Sequence, residues 1–457
     1  MVLSILLGTT NVFATDFKTL GDGITWTLTK LASTEGSGVT MEGTTCLLSN
    51  TIIISAGDRF KMEGGLTVKM GEAVSLEVEG TASMSPSERS LFTRSEEGVV
   101  PGIVYLKCNE QQVVAVEHLD FEYVGLKYFA SKGLDVKDCT FRYHKASTSN
   151  GTSALNLAGE GASFSVRECI FEYNGRSAIG GAANASNPIL IENCFFQYND
   201  AQNLNYPQLN LTCSPSIIIR NNKVIGDRTK TLGGGIMVAD LLGLFTNSNT
   251  LIENNEVTDN RYGIALYCSQ KAIVRNNQLL NNNTETNPMN GGSGINIYDP
   301  TGQQETMITG NYIEGSLWGV TIIGGKNINL GKTENPLADD YNPGGNTFYN
   351  NGFDGTIYDL YNNSVNTIYA QGNYWKTAAT QDAEGIENVI YHKHDDPSLG
   401  EVIFSPWKSE LPDQVNSINS NIEKQEEVFS LSGIRQQSAQ KGINIIKRQG
   451  KRIKVIY

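Results

Sequence analysis

The sequence predicts an all-β solenoid, and three observations carry that prediction. Short runs of alternating apolar and polar residues return every twenty to thirty-odd residues, a spacing typical of stacked repeats. None of these runs has the 3.6-residue period of an amphipathic helix. Glycine, at 47 of 457 residues, and asparagine are abundant enough to supply many turns.

The repeat is anchored on an asparagine pair. It reads Ile219-Arg220-Asn221-Asn222-Lys223-Val224, then Ile252-Glu253-Asn254-Asn255-Glu256-Val257, then Val274-Arg275-Asn276-Asn277-Gln278-Leu279. A fourth copy, Ile308-Thr309-Gly310-Asn311-Tyr312-Ile313, has glycine for the first asparagine. Upstream, cysteine takes the second position at Cys139, Cys169 and Cys194. From 139 through 169, 194, 222, 255 and 277 to 311 the steps are 30, 25, 28, 33, 22 and 34 residues. A second motif interleaves, glycine followed by spaced aliphatics: Gly235-Ile236-Met237-Val238, Gly263-Ile264-Ala265-Leu266, Gly294-Ile295-Asn296-Ile297 and Gly319-Val320-Thr321-Ile322. Variable steps mean that loops of different length leave the coil at fixed corners. Leucine-rich repeats are the alternative, but their leucine consensus is absent.

Stacking explains the asparagines. Equivalent residues in successive coils lie about 4.8 Å apart, so one row of side chains runs along the axis. A buried amide in such a row donates and accepts along it, avoiding the ~1–3 kcal/mol cost of an unpaired buried polar group. Asparagine also tolerates the left-handed backbone of a sharp corner. Cysteine in the same row acts as a small buried hydrophobe. The expectation is reduced, interior thiols, with disulfide staples as the alternative.

Composition excludes several classes. With 39% hydrophobic and 18% charged residues the chain is globular. A formal charge of −13 argues against nucleic-acid binding through phosphates. No apolar stretch is long enough to span a membrane as a helix. Residues 1–14, ending Val12-Phe13-Ala14, fit a signal peptide cleaved before Thr15, although a basic start is missing. Charge is uneven: residues 428–457 carry seven basic and no acidic side chains, leaving −20 on the remainder. The predicted organisation is a solenoid over 15–408, a polar linker over 409–427 and a small β-module over 428–457.

These motifs resemble the right-handed, single-stranded parallel β-helix repeats of the pectate-lyase-like superfamily. The opening "GDGITWTLTK" and the closing "IYAQGNYW" to "IFSPW" are similar to those of uncharacterised β-helix surface proteins of gut-type Bacteroidetes. The tail, with Leu431-Ser432-Gly433, Lys441-Gly442-Ile443 and Gly450-Lys451, resembles sorting domains of the type IX secretion system. That resemblance implies export, with possible attachment to the cell surface. It brings no known activity.

For a site, the Gly-Ile-x-Ile strand is the best defined. If Ile236, Ile264, Ile295 and Val320 point inward, alternation turns Met237, Ala265, Asn296 and Thr321 outward. The next outward row is Ala239, Tyr267, Tyr298 and Ile323, and Asp240 and Asp299 close their strands. Tyr267 and Tyr298 would form a platform for a sugar ring, with Asn296, Asp299 and Asp240 offering hydrogen bonds. Against this, exposed tyrosines on a β-face commonly just shield neighbouring strands.

Catalytic signatures do not follow. The N-T-D and G-H-G motifs of polygalacturonase-like hydrolases are missing, and Asp339-Asp340 lies in a loop of turn formers. Arg228, Lys230, Arg261 and Lys326 carry no lyase motif. An acidic helix would repel a uronate polymer unless a divalent ion bridged them, and no motif supports calcium. His392 and His394, beside Asp395 and Asp396, are a metal candidate outweighed by a structural role in the closing segment. The expectation is a secreted or cell-surface protein that binds poly- or oligosaccharide without identifiable catalytic residues, cofactor or metal. The alternatives are a polysaccharide lyase or glycoside hydrolase with an unrecognised groove, and a structural or adhesive surface protein.

Overall fold

A computed structural model describes residues 16–410, apart from 109, 110, 112, 146–152 and 160, together with the backbone of four strands within 427–456. The predicted signal peptide and most of the predicted linker lie outside the described residues. The chain divides into two compact units between Ser409 and Glu410.

The first unit is a parallel β-helix. Each coil gives one short strand to each of three sheets. The first sheet, from Phe17–Lys18 to Ile390–Tyr391, and the second, from Val39–Glu42 to Tyr374–Trp375, have 14 strands each among the described residues. The third has 11, from Val113–Glu117 to Val402–Ile403, and a three-stranded sheet of Thr25–Trp26, Arg59–Lys61 and Thr81–Ser83 precedes it. Pairing between coils is parallel; the exception is the hairpin of Val39–Glu42 with Thr45–Leu48 at the start.

Period-two alternation fills the interior. In the second sheet Phe92, Phe121, Phe141, Phe171 and Phe196 stack ring on ring at 5.4, 4.8, 4.9 and 5.0 Å, close to the strand spacing. Ile236, Ile264, Ile295 and Val320 are fully buried, as the alternation requires. Short helices stand near both ends. Leu28–Ala32 is capped by Thr27, whose hydroxyl accepts the Lys30 N–H, and it buries Leu28 and Leu31 completely. Ala383–Glu387 is capped by Asp382 and buries Ile386.

The asparagine row is continuous. Nδ2 of Asn222 donates to Oδ1 of Asn255, and the same link runs on to Asn277, Asn311, Asn346 and Asn373, at 2.9–3.0 Å throughout. Each Oδ1 also accepts the backbone N–H of the preceding asparagine, and each Nδ2 donates its second hydrogen to a main-chain carbonyl. The two residues of the pair divide the labour. The first holds the left-handed corner, with φ of 56°, 56°, 55° and 66° at Asn221, Asn254, Asn276 and Gly310, while the second forms the ladder. Cys139, Cys169 and Cys194 extend the row as buried free thiols. Their Sγ–H groups donate to the Val116, Val136 and Val166 carbonyls, much as the amides do below them. Burial pushes the Cys139 and Cys194 thiols well up.

A second amide row follows another left-handed corner. Asn174 donates to Asn199, Asn199 to Gln208, Gln208 to Asn260 and Asn260 to Asn282. Further along, Asn351 donates to the buried carboxylate of Asp359 at 2.9 Å.

The second unit contains an antiparallel sheet of Glu427–Ser430, Arg435–Gln436, Ile443–Arg448 and Lys451–Ile456. These four strands fall within and at the edge of the predicted β-module, and Arg435–Gln436 pairs with Glu427–Ser430.

Candidate functional site

A groove of about 580 Å³ lies on the outer face of the first sheet. Its floor is one outward row in parallel register: Asn210, Met237, Ala265, Asn296, Thr321 and Tyr361. All but Ala265, which is nearly covered, line the groove. Its walls are loops that leave the coil at 204–206, 261–262 and 288–291, and Trp318 stands at the start of its strand.

The walls are tied together. Arg261 spans two of them, its guanidinium donating to Asn205 Oδ1 and to the Asn290 carbonyl. It passes close over Gly291, where a Cβ would lie 2.8 Å from Arg261 Cγ. Tyr262 folds back over Gly234, where any Cβ would run into its ring. The 204–206 wall hangs from Asp200, whose buried carboxylate accepts the N–H groups of Leu204 and Tyr206 at 3.0 and 3.2 Å. Burial holds the Asp200 carboxyl above the usual range despite those bonds.

The lining is uncharged apart from one arginine. Aromatic rings come from Tyr206, Tyr262, Trp318 and Tyr361, and amides from Asn205, Asn210, Asn290, Asn296 and Asn363. Ser293 and Thr321 add hydroxyls, which bond each other at 2.8 Å. Arg261 is the one charged side chain among the lining residues, and no carboxylate is among them. Trp318 and Tyr361 stack at 4.3 Å with 12° between planes, and Tyr391 continues the stack beyond Tyr361 at 4.7 Å.

The sequence-predicted residues fall in two places. Asn296 lies in the groove floor. Tyr267 and Tyr298 stand on the adjoining outward row and stack at 4.8 Å with 22° between planes. Each ring therefore covers a face of the other, and the pair flanks the groove through Ile323, the next residue in register after Tyr298.

Asp240 and Asp299 turn away from the groove into loops. Asp240, nearly buried, accepts the N–H groups of Leu244 and Phe245. Asp299, fully buried, accepts from Thr301, Gln303 and Gln304. Burial pushes the Asp299 carboxyl up, but the Thr301 hydroxyl and the three N–H groups outweigh it and hold it below the usual range. Both carboxylates are thus spent on loop geometry.

The other polar candidates are structural too. His392 is nearly buried, accepts the Val402 N–H at Nδ1 (2.8 Å) and faces Glu387 Oε1 from Nε2 at 2.6 Å, so its proton sits on Nε2. Asp340 pairs with Lys332 at 2.6 Å. Among the described residues no cluster of three or more His, Cys, Asp or Glu is arranged to hold a metal, and no helix is long and apolar enough to cross a membrane.

Of the lining, the sequence singles out Arg261 only as a cation without a lyase motif and does not point to Tyr206, Tyr262, Met289 or Trp318. The one available signal was glycine: Gly234 and Gly291 sit where a neighbouring side chain needs the space.

Three parallel sheets with a loop-walled groove on the first define the geometry of this face. The right-handed beta helix region family matches residues 102–335, about half of the chain, and the protein belongs to that family. The fold is the right-handed parallel β-helix expected from the repeats. No curated protein matches the sequence. Among solved structures the chain is similar to a variant of the periplasmic alginate epimerase AlgG, at 9% identity over 84% of this chain and 83% of that one, with a TM-score of 0.36. Unsubstituted AlgG gives 10% identity over 83% of each chain and a TM-score of 0.33. The A-module of the Azotobacter vinelandii mannuronan C-5 epimerase AlgE4 gives 14% identity over 68% of this chain and 82% of that one, with a TM-score of 0.19. At these values the likeness concerns the fold only.

Proposed function

We propose that the protein is exported and binds a neutral glycan in the groove of its first sheet without cleaving it. The observation that carries this reading is the lining itself. Tyr206, Tyr262 and Trp318 bring apolar ring surface to the groove, Tyr361 offers its edge from between Trp318 and Tyr391, and the amides supply two-sided hydrogen bonding to hydroxyls. A single arginine, each of whose terminal nitrogens gives one hydrogen to a neutral wall acceptor, is the one charge that the lining offers to an acidic polymer. Asn296 belongs to the floor; Tyr267 and Tyr298 form a shoulder beside it. Glycoside hydrolysis commonly works through a pair of carboxylates about the scissile bond, and the lining side chains supply none.

Export is part of the same proposal. It rests on residues 1–14 and on the basic C-terminal module, whose resemblance to type IX sorting domains suggests surface attachment. Residues 15–408 are then the glycan-binding body, 409–427 a linker and 428–457 the sorting module.

The test is a panel of neutral and acidic polysaccharides, assayed for binding and for new reducing ends or unsaturated products, with and without calcium. Binding without product is the expected result. Product from any member would replace this reading with the enzymatic one, and binding confined to uronate polymers would refute the neutral groove.

A further inference from the structure

We infer that the protein pairs with a second copy of itself through the outer face of its third sheet, the two β-helices running antiparallel. The contact lies on a different sheet from the groove and does not depend on the glycan reading. On a solvated face, alternation commonly turns polar side chains outward, and for five successive coils here it does not. Leu190, Ile218, Leu251, Ile273 and Met307 follow one another in register as one outward row. Ile273 is exposed, and the other four are half-buried and lie outside the core. Ser165 bounds the row at one end and Asn329 at the other. At about 4.8 Å per coil the aliphatic strip is ~20 Å long. Single exposed apolar side chains are ordinary, but a continuous strip rimmed by polar residues marks a contact surface.

The charges beside the strip select its occupant. Two residues further along the same strands runs a second outward row, Glu192, Arg220, Glu253 and Arg275. Its signs alternate strictly. Within the chain Arg220 pairs with Glu192 and Arg275 with Glu253, both at 2.6 Å. An alternating row of even length is its own complement when reversed. A twofold axis in the interface, perpendicular to the helix axis and between the coils of Ile218 and Leu251, performs that reversal. It sets Glu192 opposite the partner's Arg275 and Arg220 opposite the partner's Glu253. The same operation lays Leu190 over the partner's Ile273 and Ile218 over the partner's Leu251. Each copy thus presents one patch to the same patch, as an isologous dimer requires.

Other arrangements of two copies lose this match. A slide of one coil brings Arg220 against the partner's Arg275 and Glu253 against the partner's Glu253. Parallel helices bring Arg275 against the partner's Lys271, which lies on the other side of the strip in the same strand. Like charges face to face oppose both. The four-residue row is itself neutral, so the chain's net −13 does not act against contact at this place.

The experiment is sedimentation equilibrium of the full-length protein from about 1 to about 100 μM, with thermal unfolding of each variant alongside. A reversible dimer is expected. Ile273→Glu, at an exposed position, is expected to leave a monomer with an unchanged unfolding midpoint. Arg275→Glu and Glu192→Arg each place two like-charge pairs across the interface, and each is expected to weaken self-association by about tenfold or more. Mixed together, these two variants restore both opposite-charge pairs in the mixed dimer, so the mixture is expected to regain most of the lost association. A role confined to ion pairs within one chain gives no such rescue. A monomer throughout the range would overturn the proposal, as would a dimer indifferent to Ile273→Glu. Absence of rescue in the mixture would overturn the antiparallel pairing.

Discussion

Asn255 donates from Nδ2 to Oδ1 of Asn277 at 3.0 Å, while its own Oδ1 accepts Nδ2 of Asn222 at the same distance. Three residues separated by 33 and 22 positions thus form consecutive links of one buried chain. The rungs are full: each interior amide uses both hydrogens and accepts twice.

Breaking a rung therefore removes several hydrogen bonds at once. Asn277→Ala leaves the N–H of Asn255 without its acceptor, removes the amide donor from the Ile252 carbonyl, and takes one of two bonds from Asn311 Oδ1 and from Asn255 Nδ2. A loss of about 2–4 kcal/mol is expected in urea or thermal unfolding. Asn249→Ala, at an exposed strand position, is the control and is expected to stay within about 0.5 kcal/mol. Similar losses for both variants would mean that the ladder is not a stabilising element.

The corner residue answers to a different rule. Asn276 has φ 55°, a conformation costly for β-branched side chains. Asn276→Val is expected to lose about 1–3 kcal/mol, and Asn276→Gly to change stability by less than about 1 kcal/mol. Reversal of that order in unfolding measurements would contradict the division of labour within the pair.

Asp359 sets a pH dependence. It is fully buried, with one carboxylate oxygen bonded by Asn351 and Thr377 and the other unpaired. Burial raises it from 3.8 to about 7. Between those values the folded state keeps a proton that the unfolded chain has released, so stability falls as pH rises through that window and levels off above it. Asp359→Asn keeps the shape without the charge. Its advantage over the parent is expected to grow by on the order of 2–3 kcal/mol between about pH 5 and about pH 8. An advantage independent of pH would show that Asp359 is ionised at little cost.

The thiols give a chemical check on the interior. Six of the seven cysteines are buried, Cys268 is half-buried, and all are free. Burial lifts Cys108 to about 12 and Cys213 to about 11. Seven thiols are expected to react in denaturant without reductant, and the six buried ones to resist alkylation in the folded protein. A count below seven in denaturant would indicate disulfides.

Much of the fold was legible because stacking writes itself into the sequence at fixed positions. A corner needs glycine or asparagine and a rung needs an amide or a thiol, so Asn221-Asn222 and its copies announce both. The second amide row was written less plainly. Its corner position accepts Tyr173, Tyr198, Asp259 or Asn281 before the asparagine, and Gln208 joins the row without such a corner. The groove was the least legible part. Tyr206, Arg261 and Met289 come from loops whose lengths follow no period, and their meeting depends on which coils neighbour each other. Asp240 and Asp299 read as exposed strand ends, yet the turn residues after them, Gly243 in one case and Pro300 and Gly302 in the other, already fit aspartates that cap loops.

Tryptophan emission tests the groove most directly. Trp318 lines it, whereas Trp26 and Trp375 are buried in the core and Trp407 packs near Phe404. Titration with the neutral oligosaccharide panel is expected to give a saturable change in emission that Trp318→Phe abolishes. No change with any neutral oligosaccharide, or a change that survives in Trp318→Phe, would contradict glycan binding at this face.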